Sequence, residues 1–132
     1  MTRLTQAQRQ FFENPFVGTV TDLRPDGSPH STVVWVDVDD GGVSFNTAYG
    51  RAKPTYIAND SRVSLTVVDP EDPYRWLSVS GRATLVDDGA DEQIDRLAKK
   101  YIGADSYPFR QPGEERVSVR IAIEKIDGRG FE

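Results

Sequence analysis

The residues best suited to do chemistry are two cations, Arg51 and Lys53, in the run Tyr49-Gly50-Arg51-Ala52-Lys53-Pro54. Pro54 suits the first turn of a helix, and a short one is expected near Thr55 to Asn59. A helix N-terminus already carries free N–H groups and positive partial charge. Each added cation there is therefore unfavourable by roughly a few tenths of a kcal/mol. A bound anion removes the conflict. The chemistry expected is a phosphate site, with Arg51 as a two-pronged donor, Lys53 as a point charge, and backbone N–H groups near Thr55 and Tyr56 as direct donors. The competing reading is a solvated basic loop.

Aromatic side chains form the second resource. Trp35, Tyr49, Tyr56, Tyr74 and Trp76 could stack on a planar heterocycle, although core or dimer packing accounts for most of them. Trp35 reads as a wall residue within a strand. Tyr74 and Trp76 follow the rigid, acidic loop Asp69-Pro70-Glu71-Asp72-Pro73 and fit an edge that meets ligand or partner.

Other chemistries lack their parts. The one histidine, His30, stands in Ser28-Pro29-His30-Ser31 without any Gly-x-Ser-x-Gly, so a turn or strand-edge packing role is expected rather than a nucleophilic triad. Asp37-Val38-Asp39-Asp40-Gly41 begins like a calcium loop but lacks a carboxylate at its fifth position and has Ala48 at the twelfth. It reads as an exposed hairpin. No Walker loop or Gly-x-Gly-x-x-Gly occurs, and with no cysteine neither a disulfide nor an ordinary zinc site is expected. Sixteen basic against twenty-one acidic residues give a net charge of -5, which disfavours nucleic acid as a partner. At 132 residues, residues 1–132 are expected to form one domain. The polar stretch Met1 to Glu13 suggests neither a signal peptide nor a membrane span, so a cytoplasmic location is the default expectation.

The elements that must position these residues are mainly strands. Thr5-Gln6-Ala7-Gln8 has capping-box form ahead of Phe11 and Phe12, which predicts an opening helix ending before Asn14-Pro15. Alternation predicts strands at Phe16 to Leu23, Ser31 to Val38, Val43 to Thr47, Arg62 to Asp69, Tyr74 to Val86 and Val117 to Ile123. The second of these, apolar on both faces, is expected to be central and covered on both sides. Gly81 suggests a bend or close backbone approach in the long fifth strand. Ile94, Leu97, Ala98, Tyr101 and Ile102 fall at helical spacing, with Asp91 and Glu92 at the start, Lys99 and Lys100 at the end, and Gly103 as the stop. The fold class expected is mainly β (α+β), a small six-stranded antiparallel barrel with short helices.

Leu23-Arg24-Pro25-Asp26-Gly27-Ser28-Pro29-His30, Val34-Trp35, Phe45-Asn46-Thr47, Gly50-Arg51-Ala52-Lys53 and Asp60-Ser61-Arg62-Val63-Ser64-Leu65 resemble, in order and spacing, the pyridoxamine-phosphate-oxidase-like split β-barrel family. The runs within Val67 to Arg75 and the segment Ile94-Asp95-Arg96-Leu97-Ala98 with Tyr101 are similar to its F420-dependent branch, which includes deazaflavin-dependent biliverdin reductases. The likeness spans Phe11 to Ile126. It implies a homodimer of six-stranded split barrels, with two cofactor clefts at the interface lined by both chains. It further implies the deazaflavin coenzyme F420, with FMN as the alternative. Under the resemblance the Arg51-Ala52-Lys53 segment holds the cofactor phosphate, and Asn46 and Thr47 touch the linker. Thr32, Val33, Val34 and Trp35 lie along the ring, and Tyr74 and Trp76 reach in from the partner. Members that oxidise pyridoxamine phosphate grip FMN with further basic residues on the second strand, which here offers only Ser31 to Val36. That departure favours F420. No ring-facing residue is an obvious general acid, so no catalytic residue is assigned. The protein's part is orientation and water exclusion while the cofactor delivers hydride to a conjugated or tetrapyrrole-like small molecule. Two other readings stand beside this one: an FMN-dependent oxidase or reductase of the same fold, and a module that holds a flavin or tetrapyrrole without turnover.

Overall fold

The computed structural model of the protein describes residues 2–40 and 42–131. The elements run α1 (Gln6–Glu13), β1 (Gly18–Leu23), β2 (Pro29–Val34), β3 (Val36–Asp39), β4 (Gly42–Ala48), α2 (Ala52–Asn59), β5 (Arg62–Asp69), β6 (Asp72–Val86), α3 (Ala90–Ile102) and β7 (Arg116–Arg129). All strand pairs are antiparallel, in the order β2-β1-β5-β6-β7-β4-β3. The opening helix forms as its capping box dictates: the Thr5 hydroxyl accepts from the Gln8 N–H at 3.2 Å, and the Gln8 side chain accepts from the Thr5 N–H at 2.9 Å. Phe11 and Phe12 on its inner face are almost fully buried.

The expected strand from Ser31 to Val38 is neither continuous nor central. It breaks at Trp35 into β2 and β3, and these occupy the two opposite edges of the sheet. Seven strands therefore replace the six expected, by division of one. Consecutive strands at opposite edges mean that the sheet curls until its edges meet across Trp35. Val34 and Val36 turn into the core, whereas Val33 is 67% exposed, so the apolar run is not covered on both faces. An all-apolar run reads as doubly covered only when both of its faces meet other layers.

Beside the curl, β6 and β7 form the longest pair, and β7 continues well beyond Ile123 because β6 needs a partner along its whole length. The pairing shifts register between Ser80 and Gly81. A Cβ on Gly81 would stand 1.9 Å from the Ala122 carbonyl oxygen, which is the close approach that the glycine permits. The core, with Phe45, Leu65, Leu77 and Val79 fully buried, fills the inside of the curl. Helix α3, bounded by left-handed glycines at Gly89 (φ 79°) and Gly103 (φ 70°), packs on β3, β4 and β7 through Ile94, Leu97 and Ala98.

Candidate functional site

A cleft of about 240 Å³ opens where the Trp35 break, the starts of α2 and β7, and helix α3 converge. Val33, Val34, Trp35, Asn46, Arg51, Lys53, Ile94, Leu97, Tyr107, Phe109 and Arg116 line it. Six of the residues expected from sequence thus come together: Val33, Val34, Trp35, Asn46, Arg51 and Lys53.

The electrostatics of the cleft are dominated by the start of α2. Arg51 is the N-cap without a side-chain cap bond, and its exposed guanidinium has no hydrogen-bond or ion-pair partner among the described residues. Lys53 is half-buried and donates from Nζ to the Thr32 hydroxyl at 3.1 Å, which ties α2 to β2. Burial lowers the Lys53 pKa below its ordinary value; Asp22 opposes the shift and Arg51 adds to it. The helix begins at Ala52, earlier than the sequence suggested. The Thr55 and Tyr56 N–H groups therefore belong to the helical ladder, and the amides left free for an anion are those of Ala52 and Lys53.

Asn46 projects from β4 toward α3, where its amide donates to the Ala90 carbonyl at 2.8 Å and the Gln93 side chain at 2.9 Å. Its carbonyl accepts from Arg116 Nε at 2.8 Å. Gln93, fully buried, also donates to the Ser44 hydroxyl at 2.9 Å and accepts from that of Ser118 at 2.6 Å. The buried Arg116 pairs with Glu114 and lies against the Tyr107 ring, 5.0 Å from its centroid. Burial alone would raise the Glu114 pKa, but the Gln111 N–H and Arg116 outweigh it and hold the carboxyl below its ordinary value.

The Trp35 wall is fixed from behind. Its indole stacks on Tyr101 at 5.4 Å with the planes 5° apart, and meets Tyr107 edge-on at 6.2 Å. The Tyr101 hydroxyl donates to the Phe16 carbonyl at 2.7 Å and accepts from the Val36 N–H at 2.9 Å, and burial pushes its pKa up to about 12. Lys100 Nζ donates to the carbonyls of Phe12 and Val36 at 2.7 Å each, and burial pulls its pKa down to about 8.

The remaining sequence candidates lie elsewhere. Thr47 points from the opposite face of β4 into the core, its hydroxyl without a hydrogen-bond partner. Ala52 is exposed at the start of α2. Tyr74 and Trp76 sit on the outer side of β6, away from this chain's own cleft. Tyr49 donates to Asp87 at 2.6 Å, and Tyr56 meets His30 edge-on. His30 Nδ1 lies 2.7 Å from the buried Asp22 carboxylate, a packing role at the strand edge. Asp37 is engaged by Arg96 and Gln93. Sequence reasoning missed Arg116, Tyr107, Phe109 and Gln93. Gln93 alone left a signal, a polar residue on the apolar stripe between Ala90 and Leu97. A second depression of about 560 Å³ lies near Thr2, Arg9, Asp40 and Ile123, where Arg9 pairs with Asp40 at 2.6 Å and Arg120 with Asp39 at 3.3 Å. Unlike the smaller cleft, it has no helix N-terminus among its described lining residues.

A curled antiparallel sheet whose edges meet at one aromatic residue, with an anion-ready cleft beside that junction, defines a split β-barrel built to hold a ligand. The chain belongs to the pyridoxamine 5'-phosphate oxidase family, whose profile matches residues 4–130. It is similar to the F420H(2)-dependent biliverdin reductase of Mycobacterium tuberculosis (strain CDC 1551 / Oshkosh), with 30% identity over 130 residues, covering 96% of this chain and 89% of that protein. Among solved structures it is similar to an F420 reductase (TM-score 0.80, 25% identity, covering 94% of this chain and 98% of the other). It also matches the conserved hypothetical protein Rv2991 of Mycobacterium tuberculosis (TM-score 0.75, 26% identity, covering 96% and 85%).

Proposed function

We propose that this chain is an F420-dependent oxidoreductase that works as a homodimer and reduces a conjugated, tetrapyrrole-like small molecule. The observation that carries the reading is the pair of cations without a carboxylate partner: the unpartnered Arg51 and the desolvated Lys53, bonded only to the Thr32 hydroxyl, meet at a helix N-terminus whose free amides also point to an anion. The F420 chemistry named for the similar reductases supports the choice of cofactor.

The residues fit such a group. Arg51, Lys53 and the N–H groups of Ala52 and Lys53 hold its anionic tail. Val33, Val34 and Trp35 offer an apolar wall for its ring, and Ile94 and Leu97 exclude water from the far side. When bound and reduced, F420 supplies a hydride; the acceptor gains that hydride and one proton, and is reduced by two electrons. The chain's part is to orient and desolvate the reactants for hydride transfer.

The homodimer is supported by the outer face of β2, β1, β5 and β6. Val17, Val33 and Val68 are exposed there beside Thr19, Thr66 and Ser78, an uncharged stretch in a chain with many charges. Trp76 lies on the same face, across from Val68.

FMN too carries a phosphate, so the test is a side-by-side affinity measurement with F420, FMN and nicotinamide coenzymes. F420 is expected to bind tightest, and reduced F420 to be reoxidised anaerobically by biliverdin. Preferential binding of FMN would overturn the choice of cofactor, and F420 binding without oxidation by any acceptor would turn the protein into a holding module.

A further inference from the structure

We propose that the loop between α3 and β7 carries the acceptor subsite: the exposed Phe109 ring, with Tyr107 beside it, takes the flat face of a conjugated acceptor. This rests on the F420 reading and adds to it the position of the second reactant.

The cleft of a single chain is small. At about 240 Å³ it lies below the roughly 300–1,000 Å³ of pockets that enclose one small molecule. Hydride transfer requires the two flat reactants face to face at about 3–3.5 Å, which places the second at the mouth of the cleft beside the first. One rim position is aromatic: Phe109 is 59% exposed, meets Tyr107 edge-on at 5.7 Å, and through Tyr107 continues the row that begins at Trp35. An exposed phenylalanine at the mouth of a cleft offers a stacking face that the chain itself leaves bare.

The loop is held rigidly enough to serve. The Tyr107 N–H donates to Asp95 at 2.8 Å, Arg110 bridges Asp91 and Asp95 at 2.9 Å each, and Glu114 accepts from the Gln111 N–H at 2.7 Å. Beneath the rings, Arg116 uses Nε on Asn46 and Nη1 on Glu114, so Nη2 retains its donors. Its charge is matched by Glu114. It therefore does not compete with Arg51 and Lys53 for an anionic tail; buried against Tyr107 and bonded to Asn46, it holds the loop in place. A planar π system fits these rings.

The test uses the full chain and biliverdin as the probe, with the induced circular dichroism of the bound pigment as a readout that needs neither cofactor nor turnover. Phe109→Ala should weaken biliverdin binding about fivefold, as expected for losing one aromatic contact. It should raise the KM for biliverdin to match while the affinity for F420 stays at the wild-type value, and Phe109→Tyr should restore both quantities. Unchanged biliverdin affinity in Phe109→Ala overturns the subsite. Failure of the wild type to bind F420 overturns the cofactor reading instead, and the dichroism titration still decides the subsite.

Discussion

Arg51 and Lys53 differ in what removing each would do. Arg51 is exposed, so its contact with an anion is partly screened, and Arg51→Ala should weaken F420 binding about tenfold, near the low end of the roughly 1.5–3 kcal/mol for hydrogen bonds to charged groups. Lys53 is half-buried and should cost more. Its pKa is already depressed by burial, and a bound anion raises it, so binding takes up a proton. Affinity should therefore be full below the depressed value and decline as pH rises through it. Lys53→Arg, charged throughout, should flatten that decline; a titration of affinity against pH in both proteins measures it, and parallel curves would remove Lys53 from the site. The cation pair was legible in the sequence because it conflicts with its own local helix. Arg116 was not, because nothing at the start of β7 announces that Asn46, seventy positions away, will bind it. Its meaning comes entirely from burial beside Glu114 and Tyr107.

Element boundaries show the same division between local and distant causes. The opening helix, β5, the start of β6 near its rigid loop and the close approach at Gly81 follow from nearby residues and could be read from them. Gly81→Ala should cost at least about 3 kcal/mol, the upper end for overpacking, because the new Cβ meets the Ala122 backbone rather than a movable side chain; a fall in Tm of only a degree or two would show that β7 yields there. The break at Trp35 was invisible because Ser31 to Val38 contains no glycine or proline. Its fixing residue is Tyr101, far along the chain, which bonds Phe16 and Val36 on either side of the break. Tyr101→Phe keeps the stack on Trp35 but leaves two backbone groups without their partner, so a loss of about 1–3 kcal/mol is expected by denaturant unfolding. The pH signs at this end of α3 oppose one another. Tyr101, with its folded pKa raised to about 12, contributes stability that is fully present below about 10 and is lost as pH rises through about 12. Lys100, with its folded pKa lowered to about 8, contributes stability that is present above about 10.4 and is lost as pH falls through about 8. Unfolding followed between these limits should show a larger alkaline loss in the wild type than in Tyr101→Phe.

Over the whole molecule, the net charge of -5 sets copies of the chain to repel at long range, and a patch without charge is where that repulsion opposes self-association least. The outer face around Val17, Val33 and Val68 is such a patch, and its hydroxyls are satisfied sideways, Thr66 on Ser78 at 2.9 Å and Thr21 with Ser31 at 2.8 Å. It therefore presents little that water must be stripped from at a loss. Trp76 shares this face, and with Tyr74 it lies too far along β6 to reach its own chain's cleft. If these side chains complete the neighbouring chain's site, the cleft of an isolated chain is unfinished, which agrees with its small volume. Val68→Glu tests this cleanly, because Val68 lines no part of the cleft and is 44% exposed, so the substitution leaves the core intact. It should shift the protein from dimer to monomer in sedimentation and, at the same protein concentration, weaken F420 binding about tenfold or more although every cleft residue of its own chain is untouched. A monomer that keeps the full affinity would mean that Tyr74 and Trp76 add nothing across an interface, and an unchanged dimer would mean that the chains meet through some other face.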